Sequence, residues 1–351
     1  MINKYYRVFI LNLLVLSGLS AGTIRSQGTA GAAQLLIPVG AENIAMGGAN
    51  AAGVSGVGAL YLNPAGTANS PHGFQGTVSD MNYLADIGVS YAGFVTKIEG
   101  IGGSVGLSVK SLDFGDIPVT TADETEGTGE FYSPGFYTMT ANYGRVIADN
   151  VRFGFNLKFI SEKIMNTDAN GLGLDLGVQY TFNQLPITVG IALRNLGQRM
   201  EYTGSDLEQT NTPEGSESGS IVERFRIKSE SFELPAQLDM ALNYEPISGF
   251  ELMGSFTNNS FSANTINFAG KYEIMGMAWV GGGMSMISVI DEQGDTSDDD
   301  WTNWTESIFG ATFGAGVSVP LGEVSLDVGY SIRTVASYFQ NNNVLELTLN
   351  F

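Results

Sequence analysis

Hydrophobic and polar residues alternate along most of the chain from residue 73 onward, with the period of two that predicts β-strands. In the stretch 171–182, leucine, valine and aromatic residues occupy every second position, and glycine or polar residues occupy the others. The alternating stretches predict about fourteen strands, at 73–84, 86–96, 101–111, 132–144, 150–162, 171–182, 186–198, 233–244, 249–258, 264–273, 275–286, 308–319, 323–333 and 343–351. Each strand has one apolar face.

The lengths of the connections separate a membrane barrel from a soluble sandwich, which would show the same alternation. Connections after the even-numbered strands are short, whereas long ones follow the third, seventh and eleventh strands near 112–131, 199–232 and 287–307. Those after the fifth and thirteenth are intermediate. Tight turns at one end and long loops at the other are typical of outer-membrane barrels. We therefore predict an all-β protein whose residues 73–351 form a transmembrane antiparallel β-barrel.

The final predicted strand places Leu345, Leu347 and Leu349 on one face and ends at Phe351. This segment resembles the C-terminal strand of bacterial outer-membrane barrels, whose assembly signal is an amphipathic strand with a terminal aromatic residue. The resemblance implies that Phe351 is recognised by the barrel-assembly machinery. The alternative is an ordinary last strand in a soluble sandwich.

The first residues have the order of regions found in a secretory signal peptide. Lys4 and Arg7 precede an apolar run over residues 8–19, and a small, polar stretch leads to Ser26. We expect residues 1–26 to direct Sec-type export and to be cleaved, which would deliver the barrel to outer-membrane lipid.

Residues 27–72 do not alternate, and they combine glycine and alanine with leucine, isoleucine, valine and methionine. We predict a compact N-terminal plug segment inside or under the barrel; a disordered linker is the alternative. The glycine runs at 281–283 and 100–103 lack the features of a phosphate loop, and glycine on the non-lipid face would let the plug approach the wall. Its turn motif is Asn63, Pro64, Ala65 and Gly66.

Composition excludes several functions. The formal charge of −20 argues against a nucleic-acid partner, and a single histidine, His72, leaves little basis for a histidine metal site or catalytic triad. We predict no cofactor and no enzymatic activity. The three long loops hold 20 of the 36 acidic residues. Within them a weak candidate cation site comprises Asp295, Asp298, Asp299 and Asp300, although the calcium-loop spacing fails and a solvated acidic loop is the alternative.

The face opposite the apolar one is mostly glycine, serine, threonine, asparagine and charged residues. A conduit for apolar molecules would favour an apolar lining, so this composition weighs against hydrophobic uptake. The charged residues expected to face the lumen are Lys110, Arg152, Lys158, Asp175, Arg194, Asp239, Asp327 and Arg333.

Several motifs resemble the PorV/PorQ family, which is itself similar to FadL-type fourteen-stranded barrels. The matching stretches are 39–41 with 45–49, 60–66, 112–120, 194–197 and 234–236. The family commonly has tryptophan where this chain has Leu62. The resemblance implies an outer-membrane barrel with an N-terminal plug that serves type IX secretion, with translocon or attachment-complex proteins and secreted cargo as partners.

Two functions therefore remain open. The first is a non-enzymatic component of type IX secretion, which holds cargo or a partner barrel through the outer loops 199–232 and 287–307. The second is a FadL-like channel for uptake of small hydrophobic molecules, in which the plug shifts to admit the ligand.

Overall fold

The computed structural model describes residues 30–211, 223–288, 308–336 and 339–351. The predicted signal peptide over 1–26 and the four aspartates of the candidate cation site lie outside these ranges.

The barrel strands are β1 Phe74–Asn82, β2 Gly88–Ile98, β3 Gly103–Asp113, β4 Gly135–Ala148, β5 Val151–Ile164, β6 Thr167–Thr181, β7 Ile187–Gly197, β8 Gln237–Ile247, β9 Phe250–Asn259, β10 Asn264–Ile274, β11 Ala278–Ser288, β12 Phe309–Leu321, β13 Val324–Val335 and β14 Asn342–Asn350.

Consecutive strands pair antiparallel around the whole sheet. The barrel closes because β14 pairs with β1, in a register that runs from Gln75 opposite Asn350 to Asn82 opposite Asn343. β7 and β8 also pair directly, although a long connection separates them in sequence. Closure removes both sheet edges, so every strand has two neighbours. The predicted fourteen-stranded antiparallel barrel is confirmed.

The connection between β5 and β6 is shorter than the sequence analysis predicted. β5 ends at Ile164 and β6 begins at Thr167, so two residues replace the intermediate loop. At the start of β6, polar Asp168 and Asn170 lie on one face and buried Ala169 on the other, so the apolar outward face that marks the rest of the strand is missing there. Part of the long connection after β7 pairs there, because Thr203–Gly204 adds to the first residues of β6.

Two further hairpins lie in the long connections. Ile117–Pro118 pairs with Phe131–Tyr132 between β3 and β4. Glu208–Asn211 pairs with Glu223–Arg226 between β7 and β8. These connections define the loop end of the barrel, and the short connections after the even-numbered strands define its turn end.

The apolar face of the wall points outward. On β5, Phe155, Leu157 and Phe159 are 36–51% exposed, whereas Asn156 and Lys158 between them are buried. Leucine, valine and phenylalanine side chains are exposed in the same way on most strands. Such an apolar belt is stable in contact with lipid, whereas its exposure to water would be unfavourable in free energy. No helix among the described residues is long and apolar enough to cross a membrane.

Residues 30–72 form a chain of short helical turns that lies against the inward faces of the strands. Nearly all of its residues are half-buried or buried. Its turns are Ala33–Leu36, Ala41–Ala45, Ala49–Ala52, Gly56–Gly58, Ala59–Leu62 and Pro64–Asn69. We call residues 30–72 the N-terminal segment. The last of these turns contacts β4, β5 and β6, and Ala41–Ala45 contacts β12 and β13 on the other side of the barrel.

Candidate functional site: the lumen and the N-terminal segment

The turn motif at residues 63–66 is buried against the wall. Asn63 has an extended backbone, as expected before proline, and its side chain caps the following turn by accepting from the Ala65 amide at 3.2 Å. Its Nδ2 donates to the carbonyl of Ala51 at 2.9 Å. A side chain on Gly66 would meet the Val54 carbonyl at 2.2 Å, so only glycine fits. The motif therefore fixes this turn against the rest of the segment.

Inward-facing glycines of the wall allow the segment to pack directly on the strand backbone. A Cβ placed on any of them would come within 3.0 Å of the segment. They form two groups, one on β3–β7 and one on β11 and β12: Gly106, Gly144, Gly154, Gly177, Gly190, Gly281, Gly283 and Gly314. Of the two glycine runs noted in the sequence, Gly281 and Gly283 lie against Met46 of the segment, whereas Gly282 and the glycines of 100–103 do not contact it.

Hydrogen bonds attach the segment to several strands. Glu346 on β14 accepts from the Ala41 amide at 2.7 Å, and Thr312 on β12 donates to the Ala45 carbonyl at 2.7 Å. On the opposite wall, Asn156 donates to the Leu60 carbonyl at 2.9 Å. Because the partners are backbone groups of the segment, side chains of the wall satisfy polar groups that the short turns leave unpaired.

An ion-pair network joins the segment to β9 and β10. Lys271 Nζ lies 3.0 Å from Glu42 Oε1 and 2.8 Å from Glu251 Oε1. Asn243 donates to the second oxygen of Glu251 at 2.6 Å. Lys271 is only 14% exposed, so this network is partly shielded from solvent.

Four of the charged residues expected in the lumen form two buried ion pairs. Lys158 lies 2.7 Å from Asp175, and Arg194 lies 2.6 Å from Asp239. Asp175 also accepts from Asn156 and from the Asn195 amide. Buried pairs of this kind are strongly destabilising to break, because one charge is left uncompensated.

Tyr61 of the segment lies within cation–π distance of two cationic side chains. The Lys110 ammonium is 5.0 Å and the Arg194 guanidinium 5.5 Å from the centre of its ring. Burial raises the pKa of the Tyr61 hydroxyl to about 12, so the ring stays neutral at physiological pH. The quadrupole of the aromatic ring attracts both cations.

The remaining inward charges lie apart from one another. Arg152 donates to Gln179 and Thr181 of β6. Asp327 accepts from Asn350 at 2.7 Å. The Arg333 guanidinium lies 3.6 Å from the centre of the Phe309 ring, near the loop end.

Phe351 closes the seam of the barrel. Its amide donates to the Phe74 carbonyl at 2.9 Å, and the two rings meet edge to face at 5.5 Å. The ring is 54% exposed. It therefore lies on the outer surface where β14 meets β1.

Two cavities lie inside the barrel on opposite sides of the segment. The loop-side cavity, about 620 Å³, is lined by Leu36, Ile44 and Leu62 of the segment and by Phe309 and Arg333 of the wall, among others. The turn-side cavity is about 370 Å³ and is richer in acidic groups, which are Glu42, Glu251, Glu273, Asp327 and Glu346. Asn43 lines both cavities, so the segment separates them.

Sequence reasoning missed the apolar part of the loop-side cavity. It considered only the strands, whose inward faces are polar, whereas Leu36, Pro38, Ile44 and Leu62 come from the segment. The signal that was available is the density of aliphatic residues in the non-alternating stretch. The Lys271 network was missed as well, since its partners are distant in sequence. In the part of the chain that the structure describes, no cluster of three or more acidic or histidine side chains is arranged to hold a metal ion.

The fold matches solved outer-membrane channels. A CymD monoaromatic hydrocarbon channel aligns with a TM-score of 0.60 and 13% identity, over 90% of this chain and 98% of that one. The Pseudomonas putida toluene transporter TodX aligns at 0.54 and 12%, over 89% and 97%. The Ralstonia pickettii toluene transporter TbuX aligns at 0.54 and 12%, over 90% and 98%. No protein-family model and no curated protein sequence matches the chain.

The fold is therefore the closed fourteen-stranded antiparallel barrel that these solved hydrocarbon and toluene channels share. The sequence analysis expected this class. The narrower PorV/PorQ resemblance has no counterpart among these matches.

Proposed function

We propose that the protein is a non-enzymatic channel for uptake of small, largely apolar molecules, and that the N-terminal segment is its movable plug. The observation that carries this proposal is the pair of cavities separated by the segment. The volume of the loop-side cavity lies within the range of about 300–1,000 Å³ that is typical of small-molecule sites. The solved channels of the same fold carry names that describe hydrocarbon and toluene transport.

The lining of the loop-side cavity suits a compact, mainly apolar molecule. Leu36, Ile44 and Leu62 supply an apolar surface on the segment, and Phe309 supplies an aromatic one on the wall. Arg333 lies beside Phe309 and would orient any electron-rich group of the ligand. A monoaromatic hydrocarbon fits this chemistry.

Passage to the turn side requires the middle of the segment to move. Asn43 donates to the carbonyls of Val39 and Gly58 and accepts from Asn50, so it joins three parts of the segment. Because these bonds lie within the segment, we expect residues 39–58 to shift as a unit. That shift would break contacts with the wall such as the Lys271–Glu42 ion pair.

The test is toluene binding to the purified barrel, measured by calorimetry in detergent. Ser285 lines the loop-side cavity from β11, and Ser285→Phe would fill it. Met284, the adjacent residue, is 47% exposed on the outer face, so Met284→Phe is the matched control. We expect Ser285→Phe to weaken binding at least tenfold and Met284→Phe to leave it unchanged. Absence of toluene binding to the unmodified barrel would count against the proposal.

A second candidate is a component of type IX secretion of the PorV/PorQ type. Its support is the motif resemblance, together with a long connection after β7 that forms its own hairpin and carries much acidic charge. Loops 199–232 and 287–307 would hold cargo or a partner barrel. The test is the surface and medium proteome of a strain that lacks the gene. Unchanged export of proteins with type IX signal domains would remove this candidate.

A further inference from the structure

A small cavity of about 20 Å³ lies between the N-terminal segment and the wall of β2–β5. This volume is sufficient for one water molecule or one monatomic ion. The polar groups around it are two ammonium groups, from Lys110 and Lys158, and several hydroxyl groups, and no carboxylate lines it. All of these groups can donate hydrogen bonds.

Lys110 has no counterion among the described residues. Its side chain is buried, with the residue 5% exposed, and its ammonium group donates to the Ile37 carbonyl at 2.9 Å. Lys158, by contrast, is paired with Asp175 at 2.7 Å. A buried cation without a compensating negative charge is strongly unfavourable.

A buried carboxylate on β5, that of Glu162, is engaged elsewhere. Glu162 lies on β5, two positions beyond Ile160, and accepts from the Tyr202 hydroxyl of the long connection after β7. Ile160 and Leu35 belong to an apolar cluster against which Tyr202 also packs. Glu162 therefore binds the long connection after β7 and is not the counterion of Lys110.

A second group at the same cavity has no hydrogen-bond partner among the described residues. Thr138 is 4% exposed, and its Oγ1 makes no hydrogen bond within the described structure. It lies directly opposite Lys110 in the register of β3 with β4, and both residues line the cavity. Buried hydroxyl groups are normally hydrogen-bonded. A cation without a counterion and a hydroxyl without a hydrogen-bond partner therefore line one space of atomic size.

We propose that this cavity binds a monatomic halide anion, chloride under physiological conditions, as the counterion of Lys110. The anion would accept from the Lys110 ammonium and the Thr138 hydroxyl. Lys110 also donates a hydrogen bond to the Ile37 carbonyl, so the bound anion would stabilise the attachment of the segment to β3. This site is independent of the proposed transport function.

The decisive test is anomalous diffraction from crystals of the full barrel grown with bromide in place of chloride. We expect a bromine peak between Lys110 Nζ and Thr138 Oγ1. The peak should disappear in Lys110→Met and persist in Lys97→Met, which removes one exposed positive charge near the turn end. A wild-type cavity that contains only water, or a peak that survives in Lys110→Met, would overturn the proposal.

A solution measurement covers the case in which Lys110→Met does not fold. Chloride should raise the thermal unfolding midpoint relative to gluconate at equal ionic strength, because a ligand that binds only the folded state stabilises it. The rise should saturate with chloride concentration in wild type and in Lys97→Met. Thr138→Val keeps the shape of the side chain and should reduce the chloride-dependent rise by at least half. An equal rise in Thr138→Val and wild type contradicts the site.

Discussion

The close approach of the segment to β5 predicts a large effect from adding one methyl group at Gly154. A Cβ there would lie 2.2 Å from the Pro64 carbonyl oxygen, 2.4 Å from its carbon and 2.7 Å from the Ala65 nitrogen. Real Cβ contacts are essentially never under 3.0 Å, so the turn must move away by about 0.8 Å. The obstacle is backbone, and no side-chain rotation can relieve it.

The energetic effect follows from what that movement disturbs. Overpacking a well-packed interior costs about 1–3 kcal/mol. The turn is also held by hydrogen bonds from Asn63 Nδ2 to the Ala51 carbonyl at 2.9 Å and, more weakly, to the Val178 carbonyl at 3.4 Å. Losing one such bond costs about 1 kcal/mol. We therefore expect Gly154→Ala to lower the free energy of unfolding by about 3 kcal/mol.

The assay is equilibrium unfolding in urea of the barrel refolded into detergent micelles, followed by tryptophan fluorescence. Gly254→Ala on β9 is the matched control, because its nearest neighbour would lie at 3.8 Å. The control should change the unfolding free energy by less than about 0.5 kcal/mol. If the two variants unfold at the same urea concentration, the inference that the segment packs on bare strand backbone is refuted.

Three further changes test other contacts of the lumen and the seam. Lys271→Met should cost about 2 kcal/mol of unfolding free energy because it leaves two carboxylates unpaired. Glu42→Gln should cost less than about 1 kcal/mol since Glu42 is 40% exposed, and equal losses in urea unfolding would contradict this ranking. Asn63→Ala should cost about 2–3 kcal/mol, measured in the same way, because it leaves buried backbone groups unpaired; a loss under 1 kcal/mol would show that water replaces the amide. Phe351→Ala should slow insertion into vesicles that contain the assembly machinery and leave insertion into plain lipid unchanged; equal slowing in both would assign the residue a purely structural role.

Alternation alone was sufficient to predict the strands. On β5, the switch between exposed Phe155 and buried Asn156 is the same period of two that is visible in the sequence. The strand number and the closed sheet followed from the number and spacing of such stretches. The prediction was wrong for the start of β6, where the strand extends beyond the apolar belt and the outward residues Asp168 and Asn170 are polar.

The candidate site was predictable only in part. The sequence indicated that Lys158, Asp175, Arg194 and Asp239 belong to the polar face, because strand geometry assigns alternate residues to one side. It did not indicate that they form two separate pairs, since pairing depends on the register between strands. The register of β7 with β8 places Asp239 near Arg194 across more than forty residues of sequence.

The sequence by itself determined which residues face lipid and which face inward, because a strand offers only two sides and lipid accepts only one kind of residue. The tertiary structure alone decided what the inward residues meet. Curling the sheet into a barrel brings β5 and β12 to opposite sides of one segment, so Gly154 meets Pro64 while Thr312 meets Ala45. The cavities arise in the same way, as space left between the segment and the wall, and no local pattern in the chain encodes that space.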